Sequence, residues 1–519
     1  MNYAQIAIRS IKHRLLASSL TAFSMSLGVM MVVAVLSIYG IVETSFRSNA
    51  TLGYNMIVGA AKGGEMQLTL NTVYYLSKPN ENIPYTYYME FLDEDGRAEG
   101  LAHSVGNKAH TLEWELTEAQ SVAASAAMAP GGGLVASLLS GISLEETQPL
   151  PVREGDGKFS DYTQFVIPVC LGDYYGIYRV VGTTPDMFEK LRFGPELEKQ
   201  YKFAQGRNFQ SKSDKYGYFE AVVGAKVARA KGLKIGDGIA PTHGDPEGAG
   251  HGRKFYVVGI LAATGTPNDR AVFVNINGFY LMEGHSKPPA EDEESEDEED
   301  DEDETDESKK DADVPEDENA PPPGSNDEHL TDLEKLPLEG REVTALLVRT
   351  EPIFAMGLPN LINESGEAQA VLPIGQIYNL FDRMIKPLQT VLLIITGLIC
   401  VVSSVSILVS IYNSMTDRRH EIAVMRALGA GRSTVMMIIL LEAIFLALGG
   451  GGFGWIMGHS LNFIASGYIE AETGVTIGFF DMVTVEWYLI PSLILLAIVV
   501  GILPSIVAYQ TDVAASLGE

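Results

Sequence analysis

Cysteine is nearly absent. The 519 residues hold 2, Cys170 and Cys400, far apart in sequence and in no CxxC or metal-ligand spacing, which excludes a disulfide framework and a thiolate zinc site. Basic residues are scarce as well, 37 against 67 acids for a net charge of -30. No basic face is available to neutralise phosphates, so nucleic acid is excluded as a partner. The sequence contains no GxxxxGK[ST] phosphate loop, no GxSxG elbow and no HExxH pair, so the chain is expected to hydrolyse no ATP itself and no catalytic residue is assigned. His103 with His110, and His243 with His251, read as solvated loop histidines rather than ligand pairs, and no metal site is expected.

What is present is segregated. A chain that is 46% apolar and carries a net charge of -30 seldom makes one soluble globule. From Glu291 to Glu328 there are 22 acids against Lys309 and Lys310, so most of the negative charge sits in 38 residues. The surrounding stretch 286–336 has Pro321 to Pro323 and almost no aliphatic residues, and cannot offset the entropy of its own ordering. It is expected to be a disordered, solvated surface insertion. The alternative is a divalent-cation sink bordered by His285 and His329, although the calcium-loop spacing is absent.

The apolar residues concentrate in four runs. The first 14 residues hold Arg9, Lys12 and Arg14 and no acid, and Leu15 to Val42 is then uncharged for 28 positions. A bilayer needs about 20 apolar residues, whereas the apolar core of a cleaved signal peptide is about 7 to 15, so an uncleaved anchor is expected. The other spans are 387–413, 433–460 with Glu442 as an interruption, and 487–510. Lys and Arg near span ends set orientation. With the basic N-terminus 1–14 cytoplasmic, 43–386 lies outside, 414–432 inside with Arg418, Arg419, Arg426 and Arg432, and 461–486 outside with four acids and no base. The tail 511–519 is then cytoplasmic. Between the first and second spans, short β-branched runs and Gly, Pro and Asp turns predict an α+β domain. Tyr178–Gly182, Glu220–Val223, Lys254–Ile260, Ala271–Val274 and Val343–Val348 read as strands. Pro185–Leu191 and Ala225–Ala230 read as helical, the latter ended by Gly232. The Ala, Ser and Gly-rich stretch 121–143 is too weakly patterned to assign. The fold class is therefore a membrane protein, with four transmembrane helices and a large α+β extracytoplasmic domain between the first two.

The inner loop has its own pattern. Ile422, Met425 and Leu428 recur every three residues along one side of a short helix, leaving Arg418, Arg419, Glu421 and Arg426 as a charged remainder, and Gly429 can supply a left-handed cap. Such a helix lies on lipid head groups or docks into a partner's groove; it is short for firm lipid anchoring, which favours the groove. Glu442, roughly two turns or more into the third span, is costly in hydrocarbon. It reads as an acceptor pinning neighbouring helices, or as part of a proton or substrate path. Gly449, Gly450, Gly451, Gly452 and Gly454 allow close helix approach and read as packing or a bend.

The layout and the segment DRRHEIAVMRALG at 417–429 resemble the FtsX-type permease family of ABC transporters, the group with MacB-type and LolC/LolE-type members. The basic first helix Arg9 to Gly28 is similar to the family's. GTTPDMF at 182–188, GRNF at 206–209, VGAKVA at 223–228 and KIGDGI at 234–239 resemble a MacB-type periplasmic core. The closing Pro504 to Leu517 is similar to the family's tail, without its usual basic residues and second Pro. The resemblance implies that Arg418, Arg419, Glu421, Ile422, Met425, Arg426 and Leu428 couple the chain to a separate cytoplasmic ATPase, with ATP and Mg held by that partner and no cofactor in this chain. It implies a bacterial cytoplasmic membrane location, membrane lipids around the spans, and a homodimer or homologous permease partner to give eight spans. A periplasmic adaptor or envelope protein is a further expected partner. Export or extraction of a lipid, lipoprotein, peptide or drug is the implied work. The alternative is an FtsX-like regulator that transmits ATPase state to an envelope enzyme.

Overall fold

The computed structural model describes residues 3–50, 52–77, 81–102, 155–194, 197–243, 253–282, 338, 340–417, 419–427 and 429–510. The stretch 121–143, the acidic insert 286–336, the tail 511–519 and His103, His110, His251, His285 and His329 lie outside the described residues. The chain divides into two compact units, Met1–Ser48 with Ile377–Glu519, and Asn49–Gln376.

Among the described residues the first unit contains four helices long and apolar enough to cross a membrane. A short helix, Tyr3–His13, precedes the first long one, Leu15–Asn49; the others are Lys386–Asp417, Arg432–Thr473 and Leu489–Gln510. Uncharged runs of this length form helices because hydrocarbon satisfies no backbone group and the helix satisfies them all internally. The side chains follow the same rule, since Thr21, Thr44, Thr396 and Ser404 each donate to the carbonyl four residues back. Met25, Val29 and Val33 from the first long helix meet Ile407 and Ile411 from the second, Ile439 and Ala443 from the third, and Leu493 and Val500 from the fourth in one core.

Two boundaries depart from the expected ones. The first helix continues past Val42 to Asn49, carrying a Glu43–Arg47 ion pair of 2.7 Å one turn apart. Charge ends an apolar run, but it does not end a helix. Within the stretch 461–486 the third helix runs on to Thr473, and only 474–483 is irregular before a turn at Thr484–Tyr488. Polar residues such as Ser466 are compatible with helix. The stop is Gly474, whose φ of +78° takes the left-handed conformation while its N–H donates to the Glu470 carbonyl at 2.9 Å.

The second unit is built on a mixed sheet of 11 strands among the described residues. In chain order these are β1 (Met56–Ala60), β2 (Thr163–Tyr175), β3 (Tyr178–Thr183), β4 (Phe203–Gly206), β5 (Glu220–Val223), β6 (Gly238–Ile239), β7 (Thr242–His243), β8 (Phe255–Leu261), β9 (Ala271–Asn275), β10 (Ala345–Thr350) and β11 (Ala368–Val371). The spatial order is β11-β1-β10-β2-β3-β9-β5-β8-β4, with β7 on β2 and β6 on β8. The β3–β9 and β5–β8 pairs are parallel, and the other pairs of this sheet are antiparallel. The strands read from sequence are all present to within two residues at their ends. The helix after β5 is Ala225–Lys231, ended by Gly232 at φ +67°.

The segments 182–188 and 206–209 form one knot in this sheet. Gly206, at φ +73°, brings its backbone so close to the Val258 carbonyl that a Cβ would overlap it. That approach lets the Arg207 N–H donate to Val258 at 3.0 Å and sends the Arg207 fork onto the buried carboxylate of Glu220 at 2.6 and 2.9 Å. Asn208 donates to the Pro185 carbonyl at 3.0 Å, and the Phe209 ring meets Phe188 edge-on. Burial by itself would raise the Glu220 pKa, but the Arg207 fork and the Gln210 N–H outweigh it and hold the carboxyl below its ordinary value. A depressed carboxyl contributes stability above its unfolded pKa, about 4.3, and loses it as pH falls through the lower folded value.

Arg207→Ala should therefore leave a buried carboxylate without its cation, at a cost of about 2 kcal/mol. Hydrogen exchange of the Phe255–Leu261 amides at pH 7 should accelerate about 30-fold, the same energy expressed as a ratio. Wild-type protection should decline below about pH 4, the range in which the unfolded carboxyl titrates, and Glu220→Gln should remove that part of the pH dependence.

Candidate functional site

The segment that joins the second and third long helices holds most of the expected site. A nine-residue helix, Arg419–Ala427, follows directly on the second long helix and closes at Gly429, whose φ is +104°. Gly429 and Ala430 donate to the carbonyls of Arg426 and Met425 at 3.1 and 3.0 Å, the reversal expected of a glycine cap. Arg432 then opens the third long helix. Arg418 and Leu428 lie outside the described residues, and Arg419 and Glu421 lie on the short helix. Ile422 is 7% exposed and belongs to the bundle core with Met415, Val435 and Ile439, while Met425 packs against the same cluster. Ile422 and Met425, two residues of the stripe expected to enter a partner's groove, thus pack on the chain's own helices, because a short helix tied at both ends to long apolar ones covers the nearest apolar surface. Val424, 39% exposed, and the half-buried Arg426 belong to its more open side.

Glu442 is 6% exposed and accepts a hydrogen bond from Ser10 Oγ at 2.9 Å. The bond ties the N-terminal helix to the third long helix. The glycines divide by neighbour. A Cβ on Gly450 would lie 2.6 Å from the Ala22 carbonyl oxygen, and one on Gly454 2.5 Å from that of Ser26. Gly458, one turn on, faces Val33 in the same way, so Gly450, Gly454 and Gly458 form a seam at four-residue spacing against the first long helix. Gly451 faces Leu493 of the fourth long helix, and Gly449 and Gly452 would meet nothing within 4 Å. Gly449 and Gly450 instead border an apolar groove of about 680 Å³ with Leu16, Leu20, Phe23 and Phe453.

Comparison with known proteins accounts for both units. The family of FtsX-like permease C-terminal regions matches residues 393–511. The family of MacB-like periplasmic core domains matches residues 18–295, just over half of the chain. The chain belongs to the FtsX/MacB-type family of ABC-transporter permeases. It is similar to the macrolide export ATP-binding/permease protein MacB of Escherichia coli, 33% identical over 107 residues, covering 18% of this chain and 16% of that protein. It is also similar to the uncharacterized ABC transporter permease MJ1507 of Methanocaldococcus jannaschii, 27% identical over 129 residues, covering 24% of this chain and 31% of that one. The matched stretches thus span about a sixth and about a third of these relatives' lengths.

One cluster in this permease was not foreseen from sequence. Glu486, in the turn before the fourth long helix, accepts from Ser37 Oγ at 2.7 Å, from Trp455 Nε1 at 3.3 Å and from its own turn's Val483 N–H at 3.2 Å. His459 Nε2 lies 2.9 Å from Oε2, the oxygen that also accepts from Trp455, and both side chains are fully enclosed. Residues from the first and third long helices thus close on one carboxylate. The available signal was Trp455 and His459, four apart and so on one face of an apolar helix, together with an acid next to an aromatic at the mouth of the next span. Read along the sequence, Glu486 is only one of four acids in a charged loop.

In the FtsX/MacB-type fold of this chain the seam and the open glycines should separate cleanly by substitution. Gly454→Leu should force the first and third long helices apart and lower the apparent unfolding temperature in detergent by several degrees, a loss of about 1–3 kcal/mol. Gly452→Ala should leave it unchanged. Thermal unfolding monitored by size-exclusion retention checks both.

Proposed function

We propose that this permease is the membrane-spanning subunit of an ABC transporter, driven by a separate cytoplasmic ATPase that holds ATP and Mg. The observation that carries the reading is the short helix Arg419–Ala427, bound to the bundle through Ile422 and Met425, with Val424 outward. A load applied to the outward side of a helix so bound moves the long helices as bodies rather than bending a loose loop. In this reading the basic N-terminus and the 414–432 segment face the cytoplasm of a bacterium, as the positive-inside bias requires. The outer domain works at the far side of the cytoplasmic membrane. Four spans enclose little by themselves, so two copies, or this chain and a homologous permease, assemble to give eight. The work is export or extraction of a lipid, lipoprotein, peptide or drug, a range that includes the macrolide export for which the Escherichia coli relative is named.

The exposed Val424, rather than the core-packed Met425, is the residue to substitute. Wild-type protein solubilised from its native membrane with a non-hydrolysable ATP analogue should copurify a cytoplasmic ATPase, identified by mass spectrometry. Val424→Glu should reduce the recovered ATPase at least tenfold, about 1.4 kcal/mol of binding, with unchanged yield and retention volume. Failure of the wild type to recover any ATPase under these conditions overturns the reading.

A further inference from the structure

The apolar groove of about 680 Å³ between the first and third long helices is left open by the bundle itself. Leu16, Leu20 and Phe23 are exposed on one side of it and Phe453 on the other. Its two glycines differ. Gly450 is held against the Ala22 carbonyl, as the seam requires, whereas a Cβ on Gly449 would meet nothing within 4 Å. Packing within the chain therefore does not use the space in front of Gly449. Apolar exposure alone selects no occupant in a bilayer, because acyl chains cover any such face. Selection comes from the charge at the end of the groove.

The groove starts at the basic end of the first long helix. Tyr3–His13 runs into Leu15–Asn49 with only Arg14 between them, the Arg14 N–H donating to the Ile11 carbonyl at 3.2 Å and the Ser18 N–H to the Arg14 carbonyl at 3.0 Å. Lys12 therefore precedes Leu16 by about 6 Å of helix rise. Arg9 and Lys12 are exposed, while Ala7 and Ser10 of the same short helix are buried. No acid precedes Glu43 in the sequence. The facing helix Arg432–Thr473 holds one acid before Glu470, and that is Glu442, 6% exposed and accepting from the buried Ser10. Long cationic side chains at such a boundary extend to the head groups and attract anionic lipid. A second copy seated here about a two-fold axis along the bilayer normal would lay Arg9 and Lys12 against their own counterparts, a like-charge contact. An anionic lipid neutralises them instead.

We propose that this groove binds one anionic phospholipid as a resident of the bundle, an acyl chain lying along Leu16, Leu20, Phe23 and Phe453 and the phosphate taken by Arg9 and Lys12. The inference rests on these helices crossing a bilayer and not on ATPase coupling, since its test contains no ATPase. The full chain in a non-ionic detergent is mixed with one equivalent each of dioleoyl phosphatidylglycerol and dioleoyl phosphatidylcholine, and the lipid adducts are weighed by native mass spectrometry. The phosphatidylglycerol adduct should exceed the phosphatidylcholine adduct at least tenfold. Arg9→Gln combined with Lys12→Gln should bring the ratio near one, with the retention volume unchanged. Gly449→Leu should lower the phosphatidylglycerol adduct at least fivefold without lowering the unfolding temperature, because its Cβ has room and leucine is the better helix former. A wild-type ratio near one, a ratio that survives loss of both cations, or an adduct that survives Gly449→Leu would each overturn the proposal. So would displacement of the lipid by equimolar glycerol phosphate, which has no acyl chain, or a wild-type dimer that Gly449→Leu converts to monomer, the outcome a second copy in the groove requires.

Discussion

A carboxylate or a peptide group inside hydrocarbon has no water to turn to, and much of the spanning unit follows from that constraint. Backbone groups are satisfied by making the spans helical. The acids Glu442 and Glu486 are satisfied by donors brought from other helices, Ser10 in one case and Ser37, Trp455 and His459 in the other. Along the third long helix the two clusters engage Glu442 and His459, seventeen residues or ~25 Å apart at 1.5 Å per residue. Each fixes a different neighbour, and a bundle pinned at two levels moves as a body more readily than one held by apolar packing alone.

Between those levels the helices are held by contact. Without water to drive apolar association, spans gain from close approach, and Gly450 and Gly454 present backbone to backbone against Ala22 and Ser26, with Gly458 against Val33. The Arg419–Ala427 helix extends the same logic. Its apolar residues complete the bundle core, which leaves its outward side for whatever acts on it. Ile422 and Met425 fasten the short helix to the bundle.

The second unit shows how motif residues serve the fold before they serve any activity. Gly206 is required by the approach to Val258, Arg207 by the buried Glu220, Asn208 by Pro185 and Phe209 by Phe188. Two segments twenty residues apart are thereby one structural object. The same Phe209 and the residues beyond it then form one wall of a cleft in this unit.

The sequence determined the number of long helices, the large mixed α and β unit between the first and second, five of the eleven strands described in the sheet and the glycine that ends the 419–427 helix. These depend on run length, alternation and backbone freedom, which are local. It also supplied the family, through segments that keep their order along the chain. Tertiary structure alone decided which apolar stripe is spoken for, because Ile422 and Met425 look the same whether they face a partner or their own bundle. It decided that the third long helix continues to Thr473, since polar residues end a hydrophobic run without ending a helix. It decided, too, that Glu486 is an enclosed acceptor rather than a loop acid, because Ser37 lies 449 positions away in sequence and only folding brings it within hydrogen-bond reach.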